Sequence, residues 1–498
     1  MPGDRKFMFP SSHSAAACSF IQPSIRSNLR NMFSLLPVTV LVSIAALAFI
    51  SGDATIVHEP VAAAPPPSDE ANSIDSSGGF SLPLVRRTST ATTTMIDVAK
   101  EEIQFIASPS SHDDGDHAAA IAAGDKKLLV PLYGRPQGST YLVQLRIGTP
   151  ADQISPRYVL FDTGSDLSWT QCEPCKNCSF TPYQPHDPSK SRTFRRLSCF
   201  DPMCEVCTVD GGGCLFRRRY GDGGAVSGEL VSDVFHFGVT GDDSYQFERD
   251  VAFGCAHVED SKAVRGYSTG VLALGFGKPS FVTQLGVDRF SYCIPASDVT
   301  GDDDRGGERS ASFLRFGSHA RMSGKRVPFR QDGSGFAVRL KSVVYQHGGR
   351  LNQQQPVPIF AGEEAAEVAM PMLVDSGTTL LWLPGSIFYP LQRKIEEDIS
   401  LTRRYYLTHP SLYCYLGNMS DVEAVSVTLG FDGGVDLELF GTSLFFIDEE
   451  DAAEDWVCLA VAAGNRAILG VYPQRNINVG YDLSTMEIAF DRDQCDRV

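Results

Sequence analysis

VLFDTGSDLSWT, Val159 to Thr170, returns later in the chain as MLVDSGTTLLWLP, Met372 to Pro384. Each copy runs through three apolar residues to Asp, a small hydroxyl residue, Gly, another Ser or Thr, and a later Trp. An apolar strand drives its aspartate into a buried position, the glycine lets the chain turn with no side chain in the way, and the hydroxyls hydrogen-bond the carboxylate. One Asp-Thr-Gly suits an ordinary turn. Two copies in matching contexts indicate two lobes built alike, each offering one aspartate, Asp162 and Asp375. Thr163, Gly164 and Ser165 support the first; Ser376, Gly377 and Thr378 support the second.

Two carboxylates brought together share one proton, because like charges so close do not both ionise cheaply. The pair, not either residue, then titrates. Its ionised oxygen acts as general base on a water, and its proton polarises the carbonyl under attack. Such chemistry calls for no metal, no cofactor and no covalent intermediate. The pattern HExxH is absent, and GYSTG, Gly266 to Gly270, leads into strand-like VLALGFG where a nucleophile elbow requires a helix.

Around the two motifs, short β-rich runs are separated by Gly, Pro, Asp and Asn: Ser139 to Pro150, Arg157 to Phe161, Asp250 to Gly254, Phe313 to Phe316, Phe336 to Tyr345, Val425 to Leu429 and Glu487 to Phe490. Helical patterns are confined to Ser280 to Leu285 and Ile387 to Ile399. The expected class is mainly β. A chain of 498 residues exceeds one hydrophobic core and predicts two lobes plus processing segments. Its 43 Lys and Arg against 60 Asp and Glu, a net charge of -17, argue against a nucleic-acid partner and suit work in acid.

Residues 1–54 read as a targeting segment. Phe33 to Ile50 is uncharged, follows Arg26 and Arg30, and leads to Gly52, Asp53 and Ala54. That is a signal peptide's apolar region, with a membrane anchor as the alternative and a small-residue exit favouring cleavage. Met32 directly before it is a plausible start. Met8 to Asn31, Ser-rich and free of acids, also reads as a plastid transit peptide, but the apolar run favours the secretory route, to apoplast or vacuole. Residues 55–127, rich in Ala, Ser, Thr, Pro and Asp, are expected to be a poorly ordered pro-segment in which Lys126 and Lys127 pair with active-site carboxylates or mark a processing site.

The motifs resemble those of the pepsin family and, more narrowly, of the nepenthesin-like aspartic proteases of plants, over about Leu128 to Asp496. The resemblance implies a bilobal double-β-barrel fold with a cleft between an N-terminal lobe, 128–320, and a C-terminal lobe, 321–498. It implies a monomeric acid endopeptidase acting on protein or peptide substrates, with no stable membrane span after processing; a catalytically inert binding or inhibitor protein of the same fold is the alternative. Tyr220, Gly221 and Asp222 fall in a YGDG stretch resembling the flap, with Trp169 expected to hydrogen-bond the Tyr220 hydroxyl. Gly224 and Val226 depart from the family's Ser and Thr, and Ala273 from its glycine; the extra methyl is expected to displace the first aspartate's loop. Arg218 alternates onto the same side as Tyr220, and reads either as a cation favouring acidic substrates or, more simply, as part of a solvated outer strand.

Of 13 Cys, Cys18 falls in the discarded region, leaving twelve for a disulfide framework, seven of them in a Cys-rich insert over 172–214. The competing reading is zinc, since Cys172, Cys175 and Cys178, and again Cys204 and Cys207, have ligand-like spacing. The family resemblance implies the pairs Cys172 with Cys175, Cys178 with Cys255, Cys199 with Cys214, Cys204 with Cys207, Cys293 with Cys495, and Cys414 with Cys458. Asn177 and Asn418 each begin a glycosylation sequon.

Overall fold

The structure is a computed structural model that describes residues 127–134, 141–151, 154–179, 181, 183–221, 223–239, 245–260, 268–294, 312–348, 355–361, 369–404, 412–448, 455–492 and 495. All of them fall in one compact unit, Ala71–Val498, and they are mainly β. The targeting segment, and the pro-segment up to residue 126, lie outside the described residues; Lys127 opens the strand Lys127–Gly134. Among the described residues no helix is long and apolar enough to cross a membrane.

The internal echo in the sequence is an echo in strand pairing. In the first half, strand Arg157–Asp162 runs parallel to Gly270–Ala273, which pairs antiparallel with Trp169–Gln171, which runs parallel to Tyr245–Asp260. In the second half, Met370–Val374 runs parallel to Ala467–Leu469, which pairs antiparallel with Leu381–Pro384, which runs parallel to Val461–Gly464. A chain that passes beside an aspartate-bearing strand and then doubles back past its own loop fixes that loop from both sides. Trp169 and Trp382, the tryptophans of the two motifs, occupy matching strands and are fully buried.

The halves are joined by a six-stranded antiparallel sheet in the order Lys127–Gly134, Ser312–Gly317, Arg289–Cys293, Asn478–Asp482, Glu487–Asp491, Lys325–Asp332. Its midline is the pairing of Arg289–Cys293 with Asn478–Asp482, so the sheet is symmetric about it. Phe290 stacks on Tyr481 across that midline with ring centroids 4.4 Å apart. Helix Phe281–Leu285 starts on Ser280, whose side chain accepts from Thr283 N, and closes on Gly286 in the left-handed region. Helix Gly385–Ile399 buries Ile387, Phe388, Leu391 and Ile395, the spacing of one helical face.

Four of the disulfides implied by resemblance are corrected. The bridges are Cys172–Cys255, Cys175–Cys178, Cys199–Cys207 and Cys204–Cys214, together with Cys293–Cys495 and Cys414–Cys458. The reason lies in register. Thr170 sits beside Cys255 in the parallel pair, so Cys172, just past the end of its strand, meets Cys255 in the core with both fully buried. Cys175 and Cys178 lie in the turn beyond and close on each other. In the insert, Cys214 faces the core beside partly buried Cys204, whereas Cys207 is exposed and reaches Cys199. All twelve sulfurs are therefore taken up in bridges, and none is free as a thiolate ligand.

Candidate active site

Strand Arg157–Asp162 ends on the first aspartate, and strand Met370–Val374 ends one residue before the second. Asp162 is buried; Asp375 is partly so. Each loop cups its carboxylate in the same way. Gly164 N donates to Asp162 Oδ1 at 2.7 Å and Ser165 Oγ to Oδ2 at 2.5 Å. Gly377 N donates to Asp375 Oδ1 at 2.8 Å and Thr378 Oγ1 to Oδ2 at 2.7 Å.

The second residue of each motif grips the opposite loop. Thr163 Oγ1 donates to Val374 O and accepts from Ser376 N, both at 3.0 Å. Ser376 Oγ donates to Phe161 O at 3.1 Å and accepts from Thr163 N at 3.0 Å. Both hydroxyls are buried and each uses its donor and an acceptor site, so neither carries the cost of an unpaired buried polar group. The glycines are required by proximity: a Cβ on Gly164 would stand 2.6 Å from Asp375 Oδ1, and one on Gly377 2.5 Å from Asp162 Oδ1. Burial, and then the neighbouring charge of Asp375, push the Asp162 carboxyl up to about 7, against the pull of the Ser165 and Gly164 hydrogen bonds.

Ala273 does not displace the first loop; the carboxylate contacts above match between halves to within 0.2 Å. The two halves solve the close approach differently. Gly470 N donates straight to Leu380 O at 3.1 Å, where a Cβ would meet that oxygen at 2.2 Å. Ala273 N instead donates to the Ser168 side chain at 3.0 Å, which leaves room for a methyl that is fully buried.

Strands Cys214–Arg219 and Ala225–Val239 form a hairpin closed by Tyr220 N to Gly224 O and Gly223 N to Tyr220 O, each 3.0 Å, with Gly223 at φ 79°. Asp222 lies outside the described residues; Gly221 is exposed in the turn. Trp169 Nε1 donates to Tyr220 Oη at 2.5 Å. Burial and the charge of Asp162 both raise the Tyr220 hydroxyl's pKa, so the phenol stays protonated above the first aspartate. Val226 is a packing residue, buried with Trp169, Phe216, Leu230 and Val271 beneath the turn. Arg218 is not on a solvated outer face: it points inward between Phe216 and Tyr220 and is held by carboxylates.

Several supporting residues escape sequence reading. Ser334 Oγ donates to Gly164 O at 2.7 Å, and Phe276 N to Ser334 O at 2.8 Å, tying a hairpin of the second half to the first aspartate's loop. Behind the grip, Tyr292 Oη donates to Gln474 Oε1 at 2.5 Å and lies 3.2 Å from Tyr481 Oη, while Gln474 Nε2 donates to Leu469 O at 2.9 Å. A tyrosine or glutamine in an apolar run has no spacing that links it to a loop so distant in the chain. Asn177 and Asn418 are both exposed; Asn418 caps a short 3-10 turn through its Oδ1. Among the described residues no group of three or more His, Cys, Asp or Glu is arranged to hold a metal ion.

Comparison with known proteins agrees with this geometry. Residues 141–318 match the family described as xylanase inhibitor N-terminal, and 351–492 the one described as xylanase inhibitor C-terminal. The chain is 30% identical over 400 residues to aspartyl protease 37 of Oryza sativa subsp. japonica, covering 72% of this chain and 81% of that protein. It is 28% identical over 370 residues to aspartic proteinase nepenthesin-2 of Nepenthes gracilis, covering 71% and 78%. Among solved structures, soybean basic 7S globulin shares the fold with a TM-score of 0.53 at 17% identity, covering 74% of this chain and 98% of that one.

Proposed function

The chain belongs to the plant pepsin-like aspartic proteases, and from that premise we propose that it is an endopeptidase with Asp162 and Asp375 as its catalytic pair. The carrying observation is the reciprocal grip of Thr163 and Ser376, which presents two identically cupped carboxylates to each other. A water held between them gives a proton to the ionised oxygen as its own oxygen attacks the scissile carbonyl carbon. The proton held by the pair passes to the carbonyl oxygen, forming a tetrahedral diol. The pair then gives a proton to the leaving nitrogen as the C–N bond breaks, and one diol hydroxyl gives its proton back to the pair, which leaves a carboxylic acid, a free amine and the pair with its single proton. Tyr220, braced by Trp169, covers the substrate and restricts water.

Protein and peptide chains are the substrates of this reading, and acid the working condition. Twelve paired cysteines support an oxidising, secreted or vacuolar destination; in this reading Asn177 and Asn418 are glycosylation sites and a single chain is the active unit. A binding or inhibitory protein is the competing reading, favoured by the description of the matched families and opposed by two intact aspartate loops. Purified protein beginning near Leu128 is incubated with a denatured protein across pH 2 to 7, with and without pepstatin, beside Asp162→Asn and Asp375→Asn. Pepstatin-sensitive cleavage that each substitution lowers by more than about a thousandfold is expected. A folded, disulfide-intact protein that cleaves nothing at any pH overturns the reading.

A further inference from the structure

Arg218 stands two residues before Tyr220 on the strand Cys214–Arg219, and its guanidinium is engaged on two sides. Nη1 donates to Glu205 Oε2 at 2.9 Å and Nη2 to Glu205 Oε1 at 2.8 Å, a bidentate fork. Nε faces Asp166 Oδ1 at 3.8 Å. Glu205 belongs to the loop stapled by Cys199–Cys207 and Cys204–Cys214, and Asp166 follows Ser165 in the first aspartate's loop. One side chain therefore joins three parts of the molecule: the flap strand, the loop that Cys204–Cys214 staples to it, and the aspartate loop. Its side chain is 23% exposed, and neighbours Phe216 and Tyr220 pack on the same inward face.

The charges favour an arrangement under tension rather than simple neutralisation. Two carboxylates face one cation, and Asp166, its carboxyl raised by burial, has Arg218 as its nearest cationic neighbour. Removing the guanidinium leaves Asp166 and Glu205 repelling each other across the base of the flap. Lysine would supply the charge without the fork.

We propose that Arg218 is a positioning residue, a brace that holds Tyr220 over Asp162 by tying the flap strand to Glu205 and Asp166. Its kinetic consequence rests on the proteolytic reading; its structural consequence does not. A flap without its brace samples open positions, and substrate must order it on binding, which raises KM more than it lowers kcat.

The test compares full disulfide-bonded protein with Arg218→Met, Glu205→Gln, the double variant and Arg218→Lys. Amide hydrogen exchange over the flap hairpin, Cys214 to Val226, is expected to quicken at least fivefold in Arg218→Met while the second half of the molecule is unchanged. KM is expected to rise about three- to tenfold with kcat within threefold, the double variant to match the worse single one, and Arg218→Lys to recover part of the loss. Unchanged flap exchange in Arg218→Met overturns the brace whatever the activity. Exchange that quickens equally in both halves, or strictly additive effects of Arg218→Met and Glu205→Gln, also overturns it. Faster flap exchange in a protein that hydrolyses nothing sustains the brace and refutes proteolysis instead.

Discussion

At Ala273 and Gly470 the same point in the two halves carries different residues, and the hydrogen bond at each explains the choice. Gly470 touches Leu380 O directly, whereas Ser168 stands between Ala273 and its own turn. Gly470→Ala forces its Cβ against Leu380 O at 2.2 Å and Thr378 O at 2.8 Å, and is expected to cost about 3 kcal/mol in urea unfolding. Ala273→Gly is expected to cost only about 0.5–1 kcal/mol, the entropy of a freer backbone. Equal losses at the two sites would show that Ser168 makes no such room. Tyr220→Phe removes the acceptor of the Trp169 N–H and leaves that donor short of a partner. With such a bond worth about 1 kcal/mol, kcat/KM is expected to fall about fivefold while folding stays intact; an unchanged kcat/KM would mean that the phenol hydroxyl does not position the flap.

Among the elements, the disulfides separate by how much chain each one closes. Cys172–Cys255 spans 83 residues and fastens two buried strands, whereas Cys175–Cys178 spans three in a turn. Replacing the first pair with serines is expected to cost about 4 kcal/mol or to abolish folding. Replacing the second is expected to lower the midpoint by much less, and peptide mapping of the native protein should recover Cys172 joined to Cys255. The contrast also marks how far the sequence was legible. Apolar runs ending in Asp-Thr-Gly and Asp-Ser-Gly carry their own strand, turn and burial, so Asp162 and Asp375 could be read locally. The class and both helices were legible for the same reason, and the hairpin carrying Tyr220 through the family resemblance. Cys293–Cys495 and Cys414–Cys458 followed from the family resemblance, but the partner of Cys172 was not legible, because it depends on which strand lies parallel beside Trp169–Gln171, a contact between segments far apart in sequence. The carboxylates that Arg218 meets and the Ser168 contact to Ala273 were hidden likewise: alternation gives the side of a strand but not what lies on that side.

For the whole molecule, folding and the proposed chemistry pull on the same proton. Asp162 holds its proton up to about 7 in the folded state because burial and Asp375 oppose its ionisation, while in the unfolded chain it ionises from about 4. A carboxyl raised in this way contributes stability that is fully present below about pH 4 and is lost as the pH climbs toward 7, where folding must keep a proton that the unfolded chain releases. Asp233 and Asp482 work in the opposite sense. The approach of the His186 ring and hydrogen bonds from Thr193 and Ser191 hold the first, and hydrogen bonds from Ser484 and Thr485 the second, below the ordinary carboxylate range despite burial. Their contribution is present above about pH 4 and disappears as acid protonates them. Together with a net charge of -17, which repels itself most when all carboxylates are ionised, this places greatest stability on the acid side of neutrality. Asp162→Asn is neutral at every pH and removes the first contribution alone. Melting temperatures of this variant and the wild type are therefore expected to lie close together at pH 3 to 4 and to diverge steadily toward pH 7, with the variant the more stable. Curves that stay parallel across that range would mean that Asp162 is already ionised in the folded protein at low pH, and that the proton assigned to the pair is held elsewhere.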